Sequence, residues 1–337
     1  MKRISIFFII VALIAGFILV KGNFKTAKPS ENKKAEVSTD EKTEKMAGRK
    51  AENSEEESRE EKDGMDKKDK ADKNTAEENT EVSGKIEHVK GVEIPILMYH
   101  DITLDPLSTN KICVTQDRFK RDLDYLESAG FTTISFKELI AWKEGLGDLP
   151  EKPVIITFDD GRPGVYDYAY PLLKDKDMKM TFFVIGKRLE QKPEDKEFGP
   201  YINWDQAKEM YDSGLIEIQP HTYDMHYGKE SLTRSVGVLP LSGESYEGHY
   251  NRFRDDTLKI MEEIKLKTGS DSYVYSFPYG KKTETNDKVL EDLGFSASVV
   301  TDTHYSDVSG ELYDLKRINV PCNIELRELL ERVKTVK

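Results

Sequence analysis

The sequence predicts an α/β fold: a distorted (β/α) barrel of about seven or eight parallel strands, preceded by a membrane anchor and a disordered tether. Three observations carry that prediction. From Ile94 onward, short apolar runs alternate with stretches of helical periodicity. About eight such runs fall within about 245 residues, a span that suits a (β/α) barrel. Ahead of them, an apolar stretch at Ile4–Val20 leads into a long segment without Ile, Leu, Phe, Tyr or Trp.

The N-terminal stretch follows Lys2 and Arg3, and only Ser5 and Gly16 interrupt its 17 residues. That length is at the short edge for a bilayer span and long for the apolar part of a signal peptide. No small-x-small cleavage site precedes Lys21, and no nearby cysteine could take a lipid. Residues 1–24 are therefore expected to be an uncleaved signal-anchor, with a cleaved signal peptide and a secreted chain as the alternative. Lys2 and Arg3 would stay in the cytoplasm and the remainder would be extracellular. Between Lys25 and Lys85, 33 of 61 residues are charged. Such a segment cannot bury enough apolar surface to offset its ordering entropy, so residues 25–90 are expected to be a disordered linker. Residues 91–337 form the expected folded domain.

Candidate strands are Ile94–Tyr99, Thr132–Ile134, Val154–Phe158, Met180–Val184, Ile216–Gln219, Tyr273–Phe277, Ala297–Val300 and Arg317–Val320. Between them, Phe119, Leu123 and Leu126 share a helical face after Thr115. Ala207, Met210 and Tyr211 follow a cap at Asn203, and Leu258, Met261 and Ile264 make a third face. Gly228–Tyr250 lacks periodicity and is expected to be a long inserted loop.

Composition narrows the function classes. With 63 acidic against 51 basic side chains the net charge is −12, which argues against a nucleic-acid partner. Two cysteines exclude a disulfide scaffold and a Cys-rich zinc fold.

In a (β/α) barrel the chemistry gathers at the C-terminal ends of the strands. Four polar clusters follow candidate strands: His100-Asp101, Asp159-Asp160, His221 and Pro278-Tyr279-Gly280. Adjacent carboxylates after an apolar strand point in different directions, so one can ligate a metal while the other takes a proton. Alone, Asp-Asp-Gly is equally a solvated turn. His221 and His226 are five apart and do not stack on one helix face, but they could converge if the segment turns after its strand. Two imidazoles and a carboxylate make the three-ligand, open-site pattern of a catalytic divalent ion, and with Asp160 on the same face the metal reading prevails.

TFDDG at 157–161, HTYDMH at 221–226 and FPYG at 277–280 resemble the polysaccharide deacetylases, the NodB-like carbohydrate esterases. The resemblance covers roughly Ile94 to Val336. Met98-Tyr99-His100-Asp101 comes first in the chain, whereas the family's usual order places its histidine motif last. That order is similar to the circularly permuted branch, which includes surface poly-β-1,6-N-acetylglucosamine N-deacetylases; ILMYHDI at 96–102 and PEKPVIITFDDG at 150–161 are similar in wording too.

The resemblance implies roles residue by residue. Asp160, His221 and His226 would hold a divalent metal ion, zinc most often, with cobalt or nickel as alternatives. Asp159 would be the general base toward the attacking water, His100 the general acid toward the departing amine, and the Tyr279 backbone N–H a donor to the oxyanion. Two positions depart from the pattern. Ser276 stands where an arginine often orients the base, and Arg317, at the start of the RINV strand, could substitute from a neighbouring strand. Arg162 replaces a common aromatic residue.

The function implied is an extracellular, membrane-held, metal-dependent N-deacetylase acting as a monomer on N-acetylglucosamine-containing polysaccharide, in the first place poly-β-1,6-N-acetylglucosamine of a biofilm matrix. Peptidoglycan is the alternative substrate, and a non-catalytic glycan-binding domain or a small-substrate amidohydrolase the alternative classes. His88, His249 and His304 are expected at the surface, and Trp142 and Trp204 in helix packing. Tyr166, Tyr223 and Tyr227 are candidates for stacking on sugar rings. Cys113 and Cys322 flank the first and last strands, close enough in a closed barrel for a disulfide to be considered.

Overall fold

Seven parallel strands wrap into a nearly closed barrel: β1 (Ile96–Tyr99), β2 (Pro153–Phe158), β3 (Met180–Val184), β4 (Ile216–Pro220), β5 (Val274–Ser276), β6 (Ala297–Thr301) and β7 (Leu315–Asn319). Their order around the barrel is β4-β3-β2-β1-β7-β6-β5. The computed structural model describes residues 91–108, 110, 112–191, 199–229 and 235–335. The expected anchor, the expected tether and His88 lie outside the described residues. Among the described residues, no helix is long and apolar enough to cross a membrane.

The first strand pairs with the last, Ile318 opposite Leu97, so the chain starts in the middle of the sheet and returns beside its own beginning. The gap falls between β4 and β5, and the Gln219 side chain reaches across it. Gln219 donates from Nε2 to the Asp271 carbonyl (2.8 Å), while its Oε1 accepts from the Tyr273 and Val274 amides (3.0 and 3.2 Å).

Because side chains alternate across a strand, staves such as β1, β2 and β3 contribute to two apolar groups. Leu97, Ile156, Phe182 and Ile218 share one core with helices α1 (Gln116–Ser128), α4 (Trp204–Asp212), α5 (Tyr246–Thr268) and α7 (Leu326–Thr335); α3 (Tyr170–Asp175) joins it through Tyr170 and Leu173. Ile96, Ile155, Phe183 and Val299 pack instead with Phe136 and Leu139 of α2 (Phe136–Lys143). Covered on both faces, strands such as Met180–Val184 are wholly buried, which is why they read as unbroken apolar runs. Helix α6 (Glu284–Asp292) contributes Val289 and Leu290 to a third group with Phe253 and Tyr275.

Glu217 ties α2 to the barrel. Its carboxylate accepts from the Phe136 and Lys137 amides (3.0 and 3.1 Å), from Thr181 Oγ1 (2.7 Å) and from the Tyr273 hydroxyl. A carboxylate at a helix N-terminus is favoured both by the open amides and by the helix dipole. Glu217→Gln is expected to cost about 2 kcal/mol, since hydrogen bonds to a charged group are worth about 1.5–3 kcal/mol. A fall of several degrees in the thermal midpoint would register it; an unchanged midpoint would show that the bonds contribute nothing net.

Several sequence expectations need correction. Thr132–Ile134 is not a barrel stave: only Thr132–Thr133 is extended, and it pairs with Pro153 and Val154 at the start of β2. The expected strand Ile94–Tyr99 breaks at Pro95, ahead of which Glu93–Ile94 pairs antiparallel with Ser306–Asp307. The inserted loop ends before Tyr250, because Ser245 caps α5 by accepting from the Gly248 amide. The buried stripe of α5 runs through His249, Phe253, Thr257, Ile260 and Ile264, whereas Leu258 is exposed. His249 is therefore a buried core histidine, its Nε2 2.7 Å from the Val238 carbonyl. Other expectations agree with the structure. Thr115 and Asn203 cap α1 and α4, Phe119, Leu123 and Leu126 are buried, and Trp204 is buried in the main core. Cys113 is a buried free thiol and Cys322 an exposed one.

Candidate active site

All four polar clusters sit where barrel strands end. His100 follows β1, Asp159 and Asp160 follow β2, His221 follows β4, and the Pro278–Gly280 turn follows β5 through Phe277. The chain leaves β2 by a sharp turn: Asp160 and Gly161 both take left-handed backbone angles, φ 78° and 89°. Gly161 has no alternative, because a Cβ there would also stand 2.8 Å from Leu189 Cδ1. Thr222 (φ 93°) and Tyr279 (φ 60°) adopt the same unfavourable region, so three of the five described non-glycine residues in it belong to this site.

Asp159 is buried and gripped by Arg317, which comes from β7. Nη1 and Nη2 each lie 2.7 Å from one carboxylate oxygen, and Nη2 also donates to Ser276 Oγ at 2.9 Å. Arg317 is itself 0% exposed, and it further donates to Thr157 Oγ1 (3.2 Å) and the Val300 carbonyl (3.3 Å). Burial would raise the Asp159 carboxyl, but the Arg317 guanidinium, together with the neighbouring His221 and His100, outweighs it and holds the group well below the usual carboxylate range. The serine where an arginine was expected is thus compensated in space. Arg317 reaches the same carboxylate from another strand, and Ser276 completes the cluster.

Asp160, His221 and His226 offer ligand atoms that all lie within 4.8 Å of one another. Asp160 Oδ1 stands 3.3 Å from His226 Nε2 and 3.8 Å from His221 Nε2, and this buried oxygen has no hydrogen-bond partner among the described residues. His221 Nδ1 lies 2.7 Å from the Ser276 carbonyl, so that nitrogen carries the proton and Nε2 turns its lone pair toward the carboxylates. A ring N–H given to a backbone carbonyl is the usual orientation device for a metal-ligating imidazole. Burial pushes the His226 imidazole down to about 4 against the pull of Asp160, and it lowers His221 as well. Both rings are neutral at pH 7, as ligation requires. The donor set fits a divalent ion such as zinc, three ligands leaving a coordination position open. His221→Ala and His226→Ala proteins are each expected to lose most of their metal; near-stoichiometric metal in both by elemental analysis would overturn the assignment.

His100 is half-buried at the end of β1, near enough for its charge to act on both carboxylates. Tyr279 is 46% exposed, its ring centroid 4.7 Å from that of His226 and its hydroxyl 3.4 Å from His226 Nδ1. Beside Asp160, Arg162 places Nε 3.9 Å from Oδ2 and stacks over the Tyr201 ring at 4.5 Å. The three tyrosines proposed for sugar stacking donate their hydroxyls to nearby carboxylates: Tyr166 to Glu209, Tyr223 to Glu190 and Tyr227 to Asp224. Tyr279 is the aromatic ring set at the metal-ligand cluster. His304 pairs with Asp302 in an exposed turn, as expected.

One residue at this site escaped the sequence reading. Asp256 of α5 reaches the loop between the two histidines and accepts hydrogen bonds from it. The available signal was a carboxylate set between Phe253 and Ile260, both buried on the same helix.

Comparison with known proteins agrees with this geometry. A family model described as polysaccharide deacetylase matches residues 146–298. That span holds Asp159, Asp160, His221, His226 and Tyr279, while His100 and Arg317 lie outside it. YxkH of Bacillus subtilis (strain 168), assigned to the polysaccharide deacetylases, is 30% identical over 240 residues, covering 71% of this chain and 76% of that protein. The poly-beta-1,6-N-acetyl-D-glucosamine N-deacetylase of Escherichia coli (strain K12) is 23% identical over 260 residues, 72% of this chain. The match covers 38% of the E. coli protein, so the chain corresponds to about two fifths of that relative. The solved structure of IcaB from Ammonifex degensii is 28% identical with a TM-score of 0.58, covering 72% of this chain and 97% of that one. A de-N-acetylase from Aggregatibacter actinomycetemcomitans shares the fold, with a TM-score of 0.63 at 22% identity over 71% of this chain and 99% of that one.

Proposed function

Because the chain belongs to the polysaccharide deacetylase family, we propose that it is a metal-dependent N-deacetylase that removes acetyl groups from N-acetylglucosamine residues of poly-β-1,6-N-acetylglucosamine in an extracellular matrix. The observation that carries this reading is the pairing of two differently prepared carboxylates. Asp160 shares a ligand cluster with His221 and His226, and Asp159 beside it is locked by Arg317. Relatives in E. coli and Staphylococcus aureus (strain MRSA252), both named for that polymer, support this choice of substrate; the latter is 34% identical over 113 residues, 34% of this chain and 38% of that one.

Asp160, His221 and His226 would hold the ion, whose bound form supplies Lewis acidity toward water and the acetyl carbonyl. Asp159 takes a proton from the attacking water. Its low pKa makes it a weak base at rest, so its contribution rests on position, which two parallel bonds from Arg317 fix. The Tyr279 backbone N–H donates to the carbonyl oxygen as negative charge develops there; a fixed donor of that kind is worth about 3 kcal/mol. His100 hands a proton to the departing amine, which leaves poorly as an anion. One copy of the chain supplies every group named, consistent with action as a monomer. Residues 1–24 would anchor the chain in the membrane and residues 25–90 would hold the barrel away from it. The domain's excess of acidic side chains accommodates a product that gains positive amines.

Acetate release by residues 86–337 from defined glycans tests the substrate. Release is expected from β-1,6-linked N-acetylglucosamine oligomers above peptidoglycan strands. Release from peptidoglycan alone would reassign the substrate, and release from no glycan would favour a binding domain.

A further inference from the structure

We propose that Asp256 is a positioning residue of the metal centre: its carboxylate sets the turn that brings His221 and His226 together. The inference rests on the reading that these histidines and Asp160 hold a metal.

Two histidines five residues apart converge only if the chain between them doubles back, and here their ring centroids stand 4.9 Å apart. The reversal starts at Thr222, a β-branched residue at φ 93°, where such side chains are strained. Something must hold it there. Asp256 Oδ1 accepts from Thr222 Oγ1 (2.5 Å) and the Tyr223 amide (2.8 Å), and Oδ2 accepts from the Asp224 amide (2.7 Å). Thr222 Oγ1 then accepts from the Met225 amide at 2.9 Å, so the hydroxyl passes the grip on to the residue before His226. Consecutive backbone amides around one anion make a nest, and bonds to an ionised acceptor are about twice as strong as neutral ones. Every donor of the set belongs to the four residues between the two histidines.

The carboxylate cannot drift, because α5 is packed along that loop. At Gly186 a Cβ would stand 2.6 Å from Ile260 Cδ1 and 2.8 Å from Tyr223 Cδ2. Gly186 thus lies against both the helix and the loop, and the Gly186 and Lys187 amides donate to the Thr222 and Tyr223 carbonyls at 3.1 and 3.0 Å. A carboxylate with only a structural task would stabilise the fold; this one has all its bonds on the segment that aims two ligands.

The test measures zinc affinity of the full-length chain by competition with a chromogenic chelator, the absorption spectrum of the cobalt-loaded protein, and the thermal midpoint of the metal-free protein. Asp256→Asn keeps the shape but sets an amide against backbone N–H donors. It is expected to weaken zinc binding about 10–100-fold, the usual range for outer-sphere partners of metal ligands, and to change the cobalt spectrum. Glu217→Gln, remote from the loop, is expected to lower the midpoint while leaving zinc affinity within about twofold. Should Asp256→Asn fail to fold, Thr222→Val removes two bonds of the set, the one given to Asp256 and the one accepted from the Met225 amide, and is expected to weaken zinc several-fold. Zinc affinity within twofold of the parent, with an unchanged cobalt spectrum, in whichever of these loop variants folds, overturns the role of Asp256 alone. A parent chain that binds no zinc overturns the metal centre and this inference with it.

Discussion

Asp159→Asn is expected to keep its metal and to lose about 10²–10⁴-fold in kcat, the contribution typical of a positioned general base. KM should change little, because the missing group acts in the transition state. Asp160→Asn should behave differently. Asp160 Oδ1 stands with the His221 and His226 Nε2 atoms in the ligand cluster, so an amide there weakens metal binding, and added metal should restore part of the activity. Parallel measurement of metal content and acetate release separates the two neighbours. Metal lost from Asp159→Asn and retained by Asp160→Asn would show the roles reversed. His100→Ala adds a control on the leaving-group side. It should keep its metal and slow amide cleavage, with a smaller loss on an activated ester whose leaving group needs no proton.

The second large effect is expected at Arg317. Both partners of the Arg317–Asp159 pair are buried, with side-chain exposures of 0% and 3%. Removing one member of a buried pair strands the other charge, at about 3–5 kcal/mol. Arg317→Met should therefore lower the thermal midpoint by about 10 °C in a domain of this size. Arg317→Lys should not rescue it, since an ammonium cannot reproduce the two parallel bonds to Asp159 together with those to Ser276 and Thr157. Replacing both partners, Asp159→Leu with Arg317→Met, should be less harmful than the sum of the single changes, because the stranded charge disappears. Additive losses in denaturant midpoints would mean that the two groups are not coupled.

The site was largely legible because barrel geometry puts reactive residues directly after apolar strands. Asp159 and Asp160 follow a strand that its apolar run predicts, and His221 follows one marked by the alternation of Ile216 and Ile218 with polar residues. Arg317 was legible as a substitute because the serine at 276 left a buried carboxylate without its cation, and a buried charge needs one. What escaped was the region where polar residues face inward. In α5 the buried stripe includes His249 and Thr257, so its apolar periodicity is broken, and the face was assigned to Leu258 and Met261 instead. The same substitution hid the start of the helix inside the expected loop and made His249 look superficial. Asp256 was missed for a related reason: a carboxylate on a charged helix resembles solvated surface until the loop it grips is in place. The barrel has the lower of the two expected strand numbers because Thr132–Ile134, though of strand propensity, pairs only with the start of β2.

The most direct test of the account is acetate release from poly-β-1,6-N-acetylglucosamine by the same protein preparation as purified, after chelator treatment, and after return of zinc, cobalt or nickel. The account predicts release that is lost with the metal and regained on its return, with one ion bound per chain. Release that survives complete removal of metal, or none at any metal loading from this or any other N-acetylglucosamine polymer, would contradict it.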